Sequence, residues 1–233
     1  MTQPSHTSLR GISSMATRQV LAELAQAWSA LSGQAIELAS VGGVDAARRV
    51  AAGEAFDVVI LADDAIARLV VGGAVDRASV RGLVRSELAA CVPADAPRPD
   101  LKTVSDVQRL VSKARGIGYS TGPSGTALLQ HFEQWGLLEA LKPKLHQAQP
   151  GVPVASMVAA GQVSLGFQQL SELMNVPGIA LLDPLPEGVQ VTTVFSGAVC
   201  ARASQPGAAD QFLRFLASPA AREAKRRHGM AEA

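Results

Sequence analysis

The sequence predicts an α/β protein of two lobes, each a mixed sheet flanked by helices. Three observations predict it. Short apolar runs alternate with segments of helical period along the whole chain. One run, Asp57-Val58-Val59-Ile60-Leu61-Ala62, is unbroken, as expected of a strand covered on both faces. The length, 233 residues with 48% hydrophobic side chains, suffices for one large domain or two small lobes with a real core. A mean hydropathy of +0.18 excludes disorder for most of the chain.

The elements follow in order. Residues 9–13 form a first strand, and 17–31 a helix with Val20, Leu21, Leu24, Ala25 and Trp28 at helical spacing, stopped by Gly33. A strand at 35–40 ends in Val41-Gly42-Gly43, and a helix at 45–52 closes at Gly53. The apolar strand 57–62 precedes a helix at 65–71, and 87–92 is a strand before the proline-rich loop 93–99. Then come a helix at 104–112, a strand at 116–120, helices at 127–135 and 154–160, a strand at 164–168, a helical 170–174 and a strand at 179–182. A β run at 190–201 and a helical region at 206–229 complete the chain. Crossings near 88–92 and 188–196 give a discontinuous lobe, 1–88 plus 190–233, around an inserted lobe, 89–189.

Composition removes several functions. Lys plus Arg is 21 against 20 for Asp plus Glu, a net charge of +1, which argues against a nucleic-acid partner. Aromatics at 4% leave few stacking platforms for single strands. His6, His131, His146 and His228 are scattered, and Cys91 and Cys200 make no CxxC, so no metal site is expected. Both cysteines read as inert core thiols, His131 as a packing residue, and Lys225-Arg226-Arg227 as a solvated helix end. There is no apolar run long enough to span a membrane. The opening Met1-Thr2-Gln3-Pro4-Ser5-His6-Thr7-Ser8 is polar, lacks a basic start and reads as no secretory leader. The expected compartment is the cytoplasm, or the periplasm if a leader has been removed.

Four strand-to-helix junctions carry the candidate chemistry. They hold Ser13, Ser14, Met15 and Thr17; Gly42, Gly43 and Asp45; Ser120, Thr121, Ser124, Gly125 and Thr126; and Val152 with Pro153. Helix N-termini offer unpaired N–H groups and partial positive charge, and neighbouring hydroxyls add donors, so such ends bind carboxylates and oxyanions. Ordinary capping explains any single one of them. The 120–126 segment is not a P-loop, because GxxxxGK[ST] is absent. Gln168 and Gln169 end a strand, and period-two geometry sends them to opposite faces. Asp45 and Glu172 are the candidate proton-transfer groups, Asp45 doubling as a first-turn helix residue.

The chain resembles the periplasmic molybdate-binding protein family, which has the two-lobed type II solute-binding fold with a ligand cleft between the lobes. The resemblance rests on the opening strand and helix, Gly42-Gly43, Asp57 to Asp63, Trp135-Gly136-Leu137, Leu141 to Leu145 and Phe212 to Pro219. The family's first ligand serine falls at Ala16, its second at Gly43, and its tyrosine at Gln169, leaving backbone donors near Ser124 and Val152. A buried dianion needs those lost donors, so molybdate is not the expected ligand. Gly11 to Thr17, Ser40 to Asp45, Gly118 to Gly125 and Gly166 to Met174 are similar to a branch associated with aconitate isomerase. That resemblance implies cofactor-independent interconversion of trans- and cis-aconitate, a small polycarboxylate, by allylic proton transfer. The alternative it implies is a non-catalytic binding protein delivering a small oxyanion or organic acid to an ABC transporter.

Overall fold

The computed structural model describes residues 8–233, so the polar opening segment read above lies, save for Ser8, outside the described residues. β1 (Leu9–Ser14) passes through a 3-10 turn at Met15–Thr17 into α1 (Arg18–Ser32), whose buried Val20, Leu21, Leu24 and Trp28 share one face. Gly33, left-handed at φ 73°, ends that helix. β2 (Ile36–Val41), α2 (Gly43–Ala51), β3 (Val58–Ala62), α3 (Asp63–Val71) and β4 (Arg81–Pro93) follow.

α4 (Val104–Lys113) starts at a capping box in which Thr103 and Asp106 bond each other's backbone. After it come β5 (Ile117–Tyr119), α5 (Pro123–Gln134), α6 (Leu138–Leu141), β6 (Leu145–Gln147), α7 (Val154–Ala159), β7 (Leu165–Gln169), α8 (Leu170–Leu173) and β8 (Ile179–Leu181). The chain ends with β9 (Thr192–Val199), α9 (Pro206–Ala217), α10 (Arg222–Arg227) and β10 (Met230–Glu232).

The chain divides into two compact units, the first running to Arg85 and resuming at Val194–Ala233, the second being Ser86–Thr193. β4 and β9 carry the chain from one to the other. In the first unit β2, β1 and β3 are parallel neighbours and β9 runs antiparallel to β3. In the second, β6, β5 and β7 are parallel neighbours, while β7 and β8 run antiparallel to β4.

Each sheet is packed on both faces. In the first unit Leu9, Val58 and Ile60 join Trp28, Phe212 and Leu213, while Ile12, Val59 and Leu61 join Ala46, Ile66 and Leu69. In the second, Leu88, Ile117 and Phe167 pack with Leu128 and Phe132, and Ala89 and Cys91 with Ala155 and Val158. Each buried large side chain contributes about 1.5–3 kcal/mol. The charged group set deepest at a strand end is Asp57. It accepts from Arg10 N–H at 2.9 Å, Ser204 N–H at 2.7 Å, Ser204 hydroxyl at 2.9 Å and Gln205 N–H at 3.1 Å. Burial raises the Asp57 pKa, but these donors outweigh it and hold the carboxyl below its ordinary value.

Several expectations change. The strand expected at 87–92 begins at Arg81, because the C-terminal β10 supplies a partner for β4 that no local pattern reveals. The helix expected from 127 starts at Pro123, where the ring's missing N–H costs nothing at a first helical position. The helical region 206–229 breaks at Ser218, which is extended ahead of Pro219. The β run at 190–201 shortens to Thr192–Val199. Lys225 is buried at 1% exposure, not solvated, with burial lowering its pKa. Cys91 and Cys200 are buried thiols whose pKa values burial pushes up to about 12. His131 stacks on Trp135 with ring centroids 5.7 Å apart.

Candidate functional site

In the first unit, the junctions after β1 and β2 meet. Parallel pairing sets Ser13 opposite Ser40, and their hydroxyls are 2.9 Å apart. Ser13, Ser14 and Thr17 are buried, and Met15 is half-buried. The Thr17 hydroxyl donates to Ser14 carbonyl at 3.1 Å and lies 3.5 Å from the Ser14 hydroxyl. A Cβ on Gly43 would stand 3.8 Å from Ser14 Cβ, so the first turn of α2 abuts the end of β1. Gly42 caps α2 without any side-chain hydrogen bond, which leaves its first turn to solvent or ligand. Asp45 lies in that turn, with its carboxylate paired to Arg48 on the same helix.

In the second unit, α5 begins directly after the Ser120–Gly122 linker, and no side chain caps it. The Ser120 and Ser124 hydroxyls are 3.3 Å apart, with Ser124 buried and Ser120 and Thr121 half-buried. Gly125 is sterically required. A Cβ there would lie 2.0 Å from the Ser120 carbonyl oxygen, so the helix crosses the end of β5 at closest approach. Thr126 is exposed a full turn into α5, and its N–H already bonds Gly122. Val152 is 44% exposed and its N–H donates to Gln149 carbonyl at 2.9 Å, so the expected donor there is spent within a turn. Pro153 is the N-cap of α7.

The two glutamines at the end of β7 do separate work. Gln168 Oε1 accepts from Val154 N–H at 2.9 Å, and its Nε2 donates to Glu172 Oε1 at 2.7 Å. Glu172 gains one amide donor for a half-buried carboxyl. Burial pushes its pKa up to about 7, and the Gln168 hydrogen bond opposes that only in part. Gln169 Nε2 donates to the Thr193 hydroxyl at 2.8 Å, while its Oε1 is buried without a partner. Such an orphan costs about 1–3 kcal/mol unless a ligand meets it. The Thr193 hydroxyl donates or accepts, so the Gln169 amide can turn over and present Nε2 instead.

Sequence reasoning took Ser40 only as the first residue of the 40–45 segment, not as a candidate of its own, and missed Thr193. Ser40 carried a signal, as a hydroxyl just ahead of Gly42-Gly43. Thr193 carried none, because its partner lies in a different strand. Among the described residues, no group of three or more His, Cys, Asp or Glu is placed to hold a metal ion.

The fold that carries these strand-end hydroxyls is the type II periplasmic-binding-protein fold. The chain belongs to the bacterial extracellular solute-binding protein family, whose model matches residues 9–231. It is 34% identical over 224 residues to an aconitate isomerase from a Pseudomonas species, covering 94% of this chain and 85% of that one. Among solved structures it is similar to the periplasmic molybdate-binding protein of Azotobacter vinelandii, with a TM-score of 0.81, 20% identity and coverage of 97% and 100%. The sulfate-binding protein of Mycobacterium tuberculosis superposes with a TM-score of 0.77 at 18% identity, covering 97% and 86%. No helix among the described residues is long and apolar enough to cross a membrane.

Proposed function

We propose that this chain is an isomerase of trans- and cis-aconitate that works by allylic proton transfer, with Glu172 moving the proton. The observation that carries the reading is the half-buried Glu172 carboxyl just past the end of β7, which accepts one hydrogen bond, from Gln168 Nε2 at 2.7 Å, and whose pKa burial pushes up to about 7. An acid–base group works best when its pKa lies near the working pH. The 34% identity to an aconitate isomerase supports the substrate.

In the proposed reaction, ionised Glu172 takes a proton from the substrate's methylene carbon. The C–H electron pair moves into a dienolate spread over the adjacent double bond and carboxylate. Protonation of the former vinylic carbon shifts the double bond and gives the other isomer. Atoms balance with no co-reactant. N–H and O–H groups aimed at the developing oxyanion lower the barrier. Ser13, Ser14, Thr17, Gly42 and Gly43, with Ser120, Thr121, Ser124 and Gly125, are the proposed carboxylate donors. Gln169 is proposed to turn its amide so that Nε2 meets a substrate carboxylate. We assign the activity to the cytoplasm, and osmotic-shock release with periplasmic markers contradicts that part.

The second reading is a binding protein that delivers an anion to an ABC transporter. The family and the molybdate- and sulfate-binding neighbours favour it. Proton NMR of trans-aconitate with catalytic protein in D2O decides. Appearance of the cis isomer with deuterium at its allylic carbon supports the isomerase. An unchanged spectrum with calorimetric binding of an anion supports the second reading.

A further inference from the structure

The proposed carboxylate donors in both units are all neutral. An aconitate trianion carries about three negative charges at neutral pH. Taking them from water onto neutral donors alone is costly, and a cation is the usual remedy. The arginines in the last turn of α2 are committed, Arg48 to Asp45 and Arg49 to Glu54. Arg18 is not. It follows Thr17 as the first residue of α1, is exposed, and among the described residues has no carboxylate partner. It also lines a groove of about 690 Å³ formed by α1 and the edge strand β2. Ala22, Ala25, Ile36 and Leu38 also line the groove, together with Ser40. Ser40 is the residue whose hydroxyl meets Ser13 at 2.9 Å. Groove and hydroxyl set therefore share a wall, and among the described residues no acidic side chain lines the groove to compete for the guanidinium.

We propose that Arg18 binds a substrate carboxylate at the Ser40 end of this groove and so selects polycarboxylates over smaller anions. This rests on the isomerase reading. A guanidinium matches a carboxylate with two parallel N–H donors, which Lys cannot reproduce and Gln lacks as charge. Its contribution is to binding, so it acts on KM.

The test compares wild type with Arg18→Gln and Arg18→Lys, using trans-aconitate as substrate and tricarballylate and glutarate as inhibitors. Arg18→Gln is expected to raise KM roughly tenfold or more with kcat nearly unchanged. Tricarballylate inhibition should weaken in parallel, glutarate inhibition should barely move, and Arg18→Lys should recover part of the loss. An unchanged KM in an active Arg18→Gln enzyme overturns the inference and leaves the isomerase reading standing. If wild type turns over no aconitate, the isomerase reading fails, and calorimetry with tricarballylate decides Arg18 separately. Weaker binding by Arg18→Gln then supports it. Equal binding, or none by wild type, overturns it.

Discussion

Two carboxylates, one in each unit, sit in opposite electrostatic regimes. Asp57 in the first unit accepts from the backbone of Arg10, Ser204 and Gln205 and from the Ser204 hydroxyl. Glu172 in the second is met by Gln168 alone. Both are withdrawn from water, yet the first is held ionised and the second is pushed up to about 7. Burial raises both, so what separates them is how far the donors offset it: the four at Asp57 outweigh it, and the one at Glu172 does not. Asp57 ties the start of β3 to the segment entering α9, so its charge is permanently in use. Glu172 keeps a proton that neutral pH can remove.

The largest effect expected from this contrast is on turnover. Glu172→Gln keeps the shape and loses the proton-carrying group, and it should cut kcat for trans-aconitate roughly 10²- to 10⁴-fold. Retained turnover in stopped assays would assign the proton to another residue. The same variant should be more stable than wild type at pH 8, with the gain shrinking toward pH 5. The sign follows from the raised pKa: between the ordinary value of 4.5 and about 7 the native state binds more protons than the unfolded one, so stability falls as pH rises.

Asp57 should behave in reverse. Its native pKa is lowered, so its contribution is present above its unfolded value and is lost as pH falls through the folded one. Asp57→Ala should cost roughly 2–4 kcal/mol in urea unfolding at pH 7, and less in acid, because the Ser204 and Gln205 donors lose their charged acceptor. A cost that does not shrink in acid would mean that the charge is not what matters. The smallest effect is expected at Asp45. Its pair with Arg48 is exposed on one helix, and Asp45→Asn should change stability by about 0.5 kcal/mol or less and leave kcat in place.

The parts of this picture that depend on local pattern were legible in the sequence. The run Val58–Ala62, the helix stop at Gly33 and the small-residue junctions after β1, β2 and β5 announce themselves through period and turn chemistry. The start of α5 at Pro123 stayed hidden, because a Ser-Thr-Gly-Pro stretch reads as a loop until the close approach of Gly125 to Ser120 is seen. What stayed hidden depends on distant partners. β4 is long because β10 arrives from the far terminus. The Thr193 hydroxyl matters because β7 ends opposite Leu88, beside it. Lys225 is buried because α10 packs against α1 and β10, which a basic run does not advertise. Glu172 and Asp57 look alike as letters; the donors that separate them come from residues 168, 10 and 204–205.

The most direct test is the pH profile of kcat/KM for trans-aconitate in wild type and Glu172→Gln. The proposed mechanism predicts a rise through about pH 7 in wild type as Glu172 ionises, and loss of that limb in the variant. A wild-type profile flat across pH 6–8, or a variant that keeps both the limb and the rate, would contradict it.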